Sequence, residues 1–179
     1  MSQKVKAIAS VAFYAAAIVA ANVLTQFYGM VPVGFGLLVT AGTYAAGLAL
    51  LARDFVHRYA NVWWVFGGIA AGIALSWFLA SPALALASAA AFAIAELVDL
   101  VVYLLARRRG FFVAAAASNL VSAPLDTVVF LLIAGFPLTW ETFTGQLVGK
   151  LLWATAVPLL IFAGVKYAVL RKSFRPARS

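Results

Sequence analysis

The sequence contains no cysteine, a single histidine and only five acidic residues among its 179 residues. Disulfides and thiolate metal sites are therefore excluded, and one histidine is too few for a zinc-peptidase centre. The motifs of serine hydrolases, zinc peptidases and phosphate-binding loops are missing as well. Glu96 and Asp99 alone are too sparse to hold the metal pair of a phospholipid-type transferase. We predict a protein that is not an enzyme, with no catalytic residue, metal or cofactor.

Charge is also scarce: only 10% of the residues are charged and 66% are hydrophobic, whereas a soluble domain carries about 25% charged residues. The apolar residues come in blocks of about 20, the length that crosses a hydrocarbon core of about 30 Å. We predict an all-α polytopic membrane protein, a six-helix bundle forming one domain over residues 1–179. The six predicted spans are approximately 7–27, 33–52, 62–80, 83–106, 111–134 and 144–170, the last with a kink at Pro158.

Most of the basic residues lie near the ends of these spans, and the net charge is +8. The predicted loops on one side, at 29–32, 81–82 and 135–143, contain no lysine or arginine. Such asymmetry places both termini in the cytoplasm and the chain in the cytoplasmic (inner) membrane. We therefore interpret the basic residues as orientation signals and predict no nucleic-acid partner. The residues on the basic side are Lys4, Lys6, Arg53, Arg58, Arg107, Arg108, Arg109, Arg171, Lys172, Arg175 and Arg178.

Polar residues inside the spans mark the candidate site. A charged side chain at the centre of a bilayer costs about 2.5–3.5 kcal/mol on insertion scales, so each needs a partner or a ligand. Helical spacing places the polar residues of each span on one face. They are Asn22 and Gln26 in span 1; Thr40, Thr43 and Tyr44 in span 2; Glu96, Asp99 and Tyr103 below Phe92 in span 4; Asn119, Ser122 and Asp126 in span 5; and Gln146, Lys150 and Trp153 in span 6.

The depths of these residues predict which of them meet. Asp126 and Lys150 lie at similar depth near the outer surface, so we predict an ion pair between them; Asp99 and Asn119 share a level near the cytoplasmic surface. One lysine cannot neutralise Asp126, Asp99 and Glu96 together, which leaves at least one carboxylate for a proton, an ion or a substrate. The alternative is that these polar pairs only hold the bundle together.

Two further patterns concern the outside of the predicted bundle. Asp54 and Arg58 are four residues apart at the cytoplasmic turn after span 2, where we expect an exposed ion pair. In span 1, Ala12, Ala16 and Ala20 form a stripe of small residues that lets helices approach closely. We expect this stripe to pack within the bundle, with a docking face for a partner subunit as the alternative.

The motifs occur in an order that resembles a known family. The match covers residues 22–153, and its most specific parts are the blocks in spans 5 and 6. The residues that carry it are Ala21-Asn22, Arg53-Asp54-Phe55, Glu96-Leu97-Val98-Asp99, Ser118-Asn119-Leu120-Val121-Ser122 with Asp126-Thr127, and Gly145-Gln146-Leu147-Val148-Gly149-Lys150. Together they resemble the VUT family, the queuosine precursor transporters. The chain departs from the pattern at Arg53, where many members carry threonine.

The resemblance implies uptake of 7-deazaguanine bases across the cytoplasmic membrane. It also implies a fold similar to the six-helix substrate-capture subunits of energy-coupling-factor vitamin importers. The functional residues that it implies by position are Asn22, Asp54, Asp99, Asn119, Asp126, Gln146 and Lys150. We add Glu96 to this substrate-binding set because of its depth and the excess of carboxylates.

The chemistry of such a base fits these residue types. A deazaguanine presents two neighbouring N–H donors, which one carboxylate accepts side by side, and we expect Asp126 or Glu96 to be that acceptor. An adenine-like base would leave the carboxylate unpaired. The flat ring favours an aromatic face, with Tyr44, Phe92 and Trp153 as candidates. Donors for the carbonyl edge are Asn119, Gln146 and Lys150.

Other functions stay open at this point. The chain could be a vitamin-binding subunit that needs a separate ATPase module, docked on the alanine stripe. A structural membrane protein is a third possibility. A channel is disfavoured, because the sequence shows no filter-like loop. The expected partners are a small nucleobase-like substrate and the lipid bilayer, with a homo-oligomer or an energy-coupling subunit left open.

Overall fold

The computed structural model describes residues 2–157 and residue 160. The predicted end of span 6, its kink at Pro158 and the basic residues of the C-terminus lie outside the described residues. The helices are α1 Gln3–Tyr28, α2 Thr43–Tyr59, α3 Val62–Leu79, α4 Pro82–Ala106, α5 Phe111–Ala134 and α6 Trp140–Leu147, which continues as a π-helix over Val148–Ala156. A 3₁₀ turn, Arg107–Arg109, joins α4 to α5, and strands β1 Met30–Gly34 and β2 Leu37–Thr40 form a hairpin.

Four stretches in the described part of the chain are long and apolar enough to cross a membrane: Gln3–Tyr28, Val62–Leu79, Pro82–Arg109 and Ala116–Ala134. Their outward faces are apolar too, with Phe78 84% exposed and Leu105 79% exposed. A soluble protein rarely exposes large apolar residues in continuous faces, but lipid favours them. The chain is therefore an all-α membrane protein.

Local sequence sets most of the helix ends. The side chains of Asn61 and Ser81 accept hydrogen bonds from the first turns of α3 and α4, which satisfies N–H groups that have no partner within the helix. Gly110 and Gly135, both at positive φ, bound α5. The helices predicted at 62–80, 83–106 and 111–134 are confirmed to within one residue at each end.

The prediction of a continuous helix over residues 33–52 is wrong in its first part. Residues 30–40 form the antiparallel hairpin, and α2 begins only at Thr43. Gly34, Phe35 and Gly36 all have positive φ in the hairpin turn, a backbone conformation that an α-helix does not contain. The hairpin packs on α6 so closely that a Cβ at Gly145 would lie 2.3 Å from the carbonyl oxygen of Leu38.

Helix packing places the hydrophobic core around α1. This helix packs against α2 and α3, while α4 packs mainly against α5. Close approach of α3 depends on a glycine, because a Cβ at Gly72 would lie 2.9 Å from the Cβ of Ile18. The core residues include Tyr14, Ile18, Ala49, Ala52, Val56, Val65, Ile69 and Phe92.

The alanine stripe of α1 does not behave as expected. Ala12 and Ala16 are exposed on the surface of the helix bundle, and Ala20 is half-buried. The neighbouring Ala17 and Ala21 are buried. The expectation that the stripe packs within the bundle is therefore wrong for Ala12 and Ala16, because the buried face of α1 is rotated by one residue towards Ala17 and Ala21.

Candidate functional site

A narrow cavity lies where α1, α2, α4, α5 and α6 meet beneath the hairpin, and we call it the central cavity. It brings together four of the predicted substrate-binding residues from three different helices. Its volume of about 20 Å³ matches one water molecule, which needs about 10–15 Å³. The lining residues are Ala21, Asn22, Thr25, Thr40, Gly42, Thr43, Ala46, Ser88, Phe92, Asp126, Phe130, Gln146 and Lys150.

The predicted ion pair between Asp126 and Lys150 is confirmed. The Lys150 ammonium lies 2.5 Å from Oδ2 of Asp126 and donates a second hydrogen bond of 2.9 Å to the hydroxyl of Thr127. Both charged side chains are almost fully buried. The pair is neutral overall, so the central cavity holds opposite charges side by side without a net charge.

Gln146 ties α6 to the hairpin and to α2. Its amide nitrogen donates to the hydroxyl of Thr40 at 2.9 Å, and its carbonyl oxygen accepts from the hydroxyl of Thr43. Since the Thr43 proton goes to Gln146, the 3.0 Å contact between Thr40 and Thr43 has Thr40 as its donor. The three side chains thus form a closed ring of hydrogen bonds at the hairpin end of the cavity.

Asn22 connects three helices from the opposite wall. Its amide nitrogen donates to Ser76 of α3 at 3.0 Å, and its oxygen accepts from Ser88 of α4 at 2.6 Å. An asparagine amide has two N–H donors and two acceptor lone pairs. Beyond these two contacts with described residues, the amide has one further donor and one further acceptor position.

Aromatic rings form the apolar part of the wall. Phe92, one of the three candidates for stacking on the base, lines the cavity. Its ring packs edge-on against that of Tyr14, with 6.5 Å between the ring centroids. The second ring is Phe130, which the sequence analysis missed. Among the described lining residues neither Tyr44 nor Trp153 occurs; Tyr44 is half-buried and Trp153 is 42% exposed.

The π-helical segment Val148–Ala156 positions Lys150. π-Helix is rare in proteins, and where it interrupts an α-helix it is frequently found at a functional site. Here the segment begins directly after Gln146-Leu147 and packs close to α2, where a Cβ at Gly149 would lie 2.7 Å from Cγ2 of Thr43. The change of helix type thus occurs at the residues that face the cavity.

Four other predicted site residues, Asp54, Glu96, Asp99 and Asn119, gather in a second place around Arg53 and His57, which were not predicted. We call these six residues the arginine cluster. Nη2 of Arg53 donates to Oδ1 of Asp99 at 2.6 Å and to the amide oxygen of Asn119 at 2.7 Å. Asp99 and Asn119, predicted at the same depth, thus meet on one guanidinium nitrogen.

The acidic members of the cluster surround the same guanidinium. Nε of Arg53 lies 3.6 Å from Oε2 of Glu96, and Nη2 lies 3.5 Å from Oδ1 of Asp54. The amide of Asn119 donates to Asp54 at 3.2 Å. Nε2 of His57 is 2.8 Å from Oε1 of Glu96.

Two sequence interpretations are corrected by this cluster. Asp54 was expected in an exposed pair with Arg58, but it is buried and bonded to Asn119. Lys150 was treated as the one buried cation, but Arg53 is 2% exposed and is a second. The missed signal is the spacing of Arg53 and His57, four residues apart on the same helical face as Ala49 and therefore turned towards the core.

The two sites are stacked along the same helices. Glu96 of the arginine cluster lies four residues from Phe92 of the cavity on α4. Ser122, whose hydroxyl is 3.5 Å from Asp99, lies four residues from Asp126 on α5. At 1.5 Å per residue this separation is one helical turn, about 6 Å. The cavity therefore lies directly beyond the cluster, towards the hairpin end of the bundle.

A polar, aromatic-lined cavity between membrane helices is typical of proteins that bind small solutes. The chain is a member of the VUT family: the family model described as "Putative vitamin uptake transporter" matches residues 8–164. It is thus a member of a transporter family. No curated protein and no solved structure matches the chain.

Proposed function

We propose that the chain imports a queuosine precursor, a 7-deazaguanine base, across the cytoplasmic membrane, and that the base binds in the central cavity. The observation that carries this proposal is the combination, in one cavity, of a carboxylate, an ammonium group, two side-chain amides and two phenyl rings. A transporter site for a flat, polar base needs these groups, because hydrogen bonds give selectivity and the rings bind the faces of the base.

The carboxylate of Asp126 is the acceptor for the two adjacent N–H groups of the base. Of the two candidates from the sequence, Asp126 lines the cavity, whereas Glu96 bonds His57 one turn away. Lys150 and Gln146 lie beside Asp126 and supply donors for the carbonyl edge. Phe92 and Phe130 provide the faces.

Binding requires the cavity to widen. A bicyclic base has several times the volume of one water molecule, whereas the cavity has room for about one. We propose that the base enters a wider conformation, in which the hairpin and α6 separate from α1 and α2. The hydrogen-bond ring of Thr40, Thr43 and Gln146 is the contact that must open.

We propose six spans with both termini in the cytoplasm. The four apolar helices are joined by α2 together with the hairpin, and by α6 with its continuation. A helix of 17 residues is about 25 Å long at 1.5 Å per residue, so α2 needs the hairpin to reach the outer surface. The basic turn Arg107–Arg109 then faces the cytoplasm.

One observation favours a second candidate, a vitamin-binding subunit of an energy-coupling-factor importer. Ala12 and Ala16 are exposed on α1, where a partner helix could approach closely. Purification from a native membrane with a stoichiometric ATPase module would favour this candidate, and uptake by the purified chain alone would exclude a requirement for one.

Binding to the purified protein tests the proposal. We expect 7-deazaguanine to raise the melting temperature of the detergent-solubilised protein and adenine to leave it unchanged, because a ligand that binds only the folded state stabilises it by mass action. We expect the Asp126→Asn variant to lose the stabilisation by 7-deazaguanine. The control variant Arg58→Gln, changed at an exposed residue, should keep it. Equal stabilisation by both bases would contradict the proposal.

A further inference from the structure

The arginine cluster carries more negative than positive charge. Three carboxylates, Asp54, Glu96 and Asp99, surround the single guanidinium of Arg53. The cluster therefore has two net negative charges, or one if His57 is protonated. All three carboxylate residues are 99% buried or more, and an uncompensated charge is not stable in such surroundings.

Several buried polar atoms of the described cluster have no hydrogen-bond partner, and Nε of Arg53 is one of them. Among the described residues, Oδ2 of Asp99, Oε2 of Glu96 and Oδ1 of Asp54 have no hydrogen-bond donor, although each is buried. Two of these oxygens lie 3.5–3.6 Å from Arg53, too far for a good hydrogen bond. A proton on one of these carboxylates removes a buried negative charge and gives the protonated oxygen an O–H group of its own.

We infer that the arginine cluster is a proton-binding site, distinct from the central cavity, that couples import to the proton gradient. The extra proton belongs to the His57–Glu96 pair, whose Nε2 and Oε1 atoms lie 2.8 Å apart, because protonating either partner cancels one of the excess negative charges. Transfer across this hydrogen bond moves one proton between imidazole and carboxylate. The coupling part of this inference rests on the proposed transport function, whereas the proton site itself does not.

A proton fits the cluster better than a metal ion. Ligand atoms of His57, Glu96 and Asp99 lie within 4.8 Å of one another, a spacing that a cation could bridge. However, Arg53 already donates to Asp99 and lies beside Glu96, and its fixed positive charge repels a divalent cation from the same oxygens. A proton needs only one oxygen and brings a single charge.

His57 gives the site an exit towards the cytoplasmic end of the bundle. It lies in the last turn of α2, and its ring stacks on Tyr103 of α4 at 5.7 Å. Its side chain is 6% exposed, whereas that of Glu96 is 1% exposed. On the other side, the central cavity begins one turn away at Phe92. The cluster thus lies between the substrate cavity and the cytoplasmic rim.

The charged and polar groups around this proton, besides its own two residues, come from four helices: Tyr14 from α1, Arg53 and Asp54 from α2, Asp99 and Tyr103 from α4, and Asn119 and Ser122 from α5. Arg58 and Arg107 interact with Tyr103. Arg58 and Arg107 are exposed and screened by solvent, so the buried carboxylates and Arg53 dominate.

Transport in proteoliposomes tests the coupling. We expect an inward proton gradient to drive accumulation of radiolabelled 7-deazaguanine, by up to about tenfold per pH unit for one proton per base, with acidification of the lumen. His57→Gln keeps a polar partner for Glu96 but cannot carry the proton. It should retain exchange of the base at equal pH and lose the gradient-driven accumulation. Arg58→Gln, the adjacent exposed change, is the control and should accumulate like the wild type.

Infrared spectroscopy tests the proton site independently of transport. We expect the detergent-solubilised protein to show a buried carboxylic-acid C=O band at neutral pH, and Glu96→Gln to weaken it. If the wild type lacks this band, or contains a stoichiometric metal by elemental analysis, the proton site is wrong. If the wild type exchanges the base but ignores the gradient, the coupling is wrong. Absence of any exchange would instead contradict the proposed transport, and the infrared result would still decide the proton site.

Discussion

The ion pair between Asp126 and Lys150 provides the most quantitative prediction. Both side chains are about 97% buried and the charged atoms are 2.5 Å apart. Removing one partner of such a pair leaves an uncompensated charge and costs about 3–5 kcal/mol, whereas replacing both partners is often close to neutral. We therefore expect Lys150→Met to lower the free energy of unfolding by about 3 kcal/mol or more.

The double variant, Asp126→Asn with Lys150→Met, separates stability from function. It contains no buried charge at this position, so we expect it to lie within about 1 kcal/mol of the wild type. It should nevertheless fail to bind 7-deazaguanine, because the acceptor carboxylate is gone. A double-mutant cycle of unfolding in mixed detergent micelles measures the coupling between the two residues.

The outcome that would refute this reasoning is additivity. If the effects of Lys150→Met and Asp126→Asn simply add, the two side chains do not interact across the cavity. A double variant that is stable and still binds the base would show that the pair has no part in recognition.

Two further predictions concern packing and topology. Gly145→Ala places a Cβ 2.3 Å from a backbone oxygen of the hairpin and should lower the melting temperature. The control, Gly67→Ala on an open face of α3, should leave the melting temperature unchanged or raise it slightly. Equal melting temperatures of the two variants would contradict the hairpin–α6 contact. The chain has no cysteine, so single cysteines can be labelled with a membrane-impermeant maleimide. The reagent should label Phe35→Cys, at the exposed hairpin turn, in intact cells, and Arg108→Cys only after the cells are permeabilised. The opposite pattern would reverse the proposed orientation.

Long helices were predictable because membrane helices have a strong sequence signal. The runs that form α3, α4 and α5 are each bounded by a proline or glycine turn or an asparagine cap. The hairpin was missed because mean hydropathy does not distinguish an apolar strand from an apolar helix. Gly34 and Gly36 were the available signal, since two glycines around one residue favour a turn.

Site prediction succeeded where depth along a helix was decisive. Asp126 and Lys150 were paired from their levels in two spans, and the structure confirms the pair. Arg53 was missed because an arginine near a span end usually serves as an orientation signal. Its burial depends on how α2 packs against α4 and α5, and a single sequence does not contain that tertiary information.

The most direct test of the central claim is restoration of queuosine in transfer RNA at limiting precursor, in a host that lacks its own importer. We predict that the wild-type chain and the Arg58→Gln control restore the modification, and that Asp126→Asn, expressed at the same level in the membrane, does not. Failure of the wild-type chain, or full restoration by Asp126→Asn, would contradict import of a deazaguanine through the central cavity.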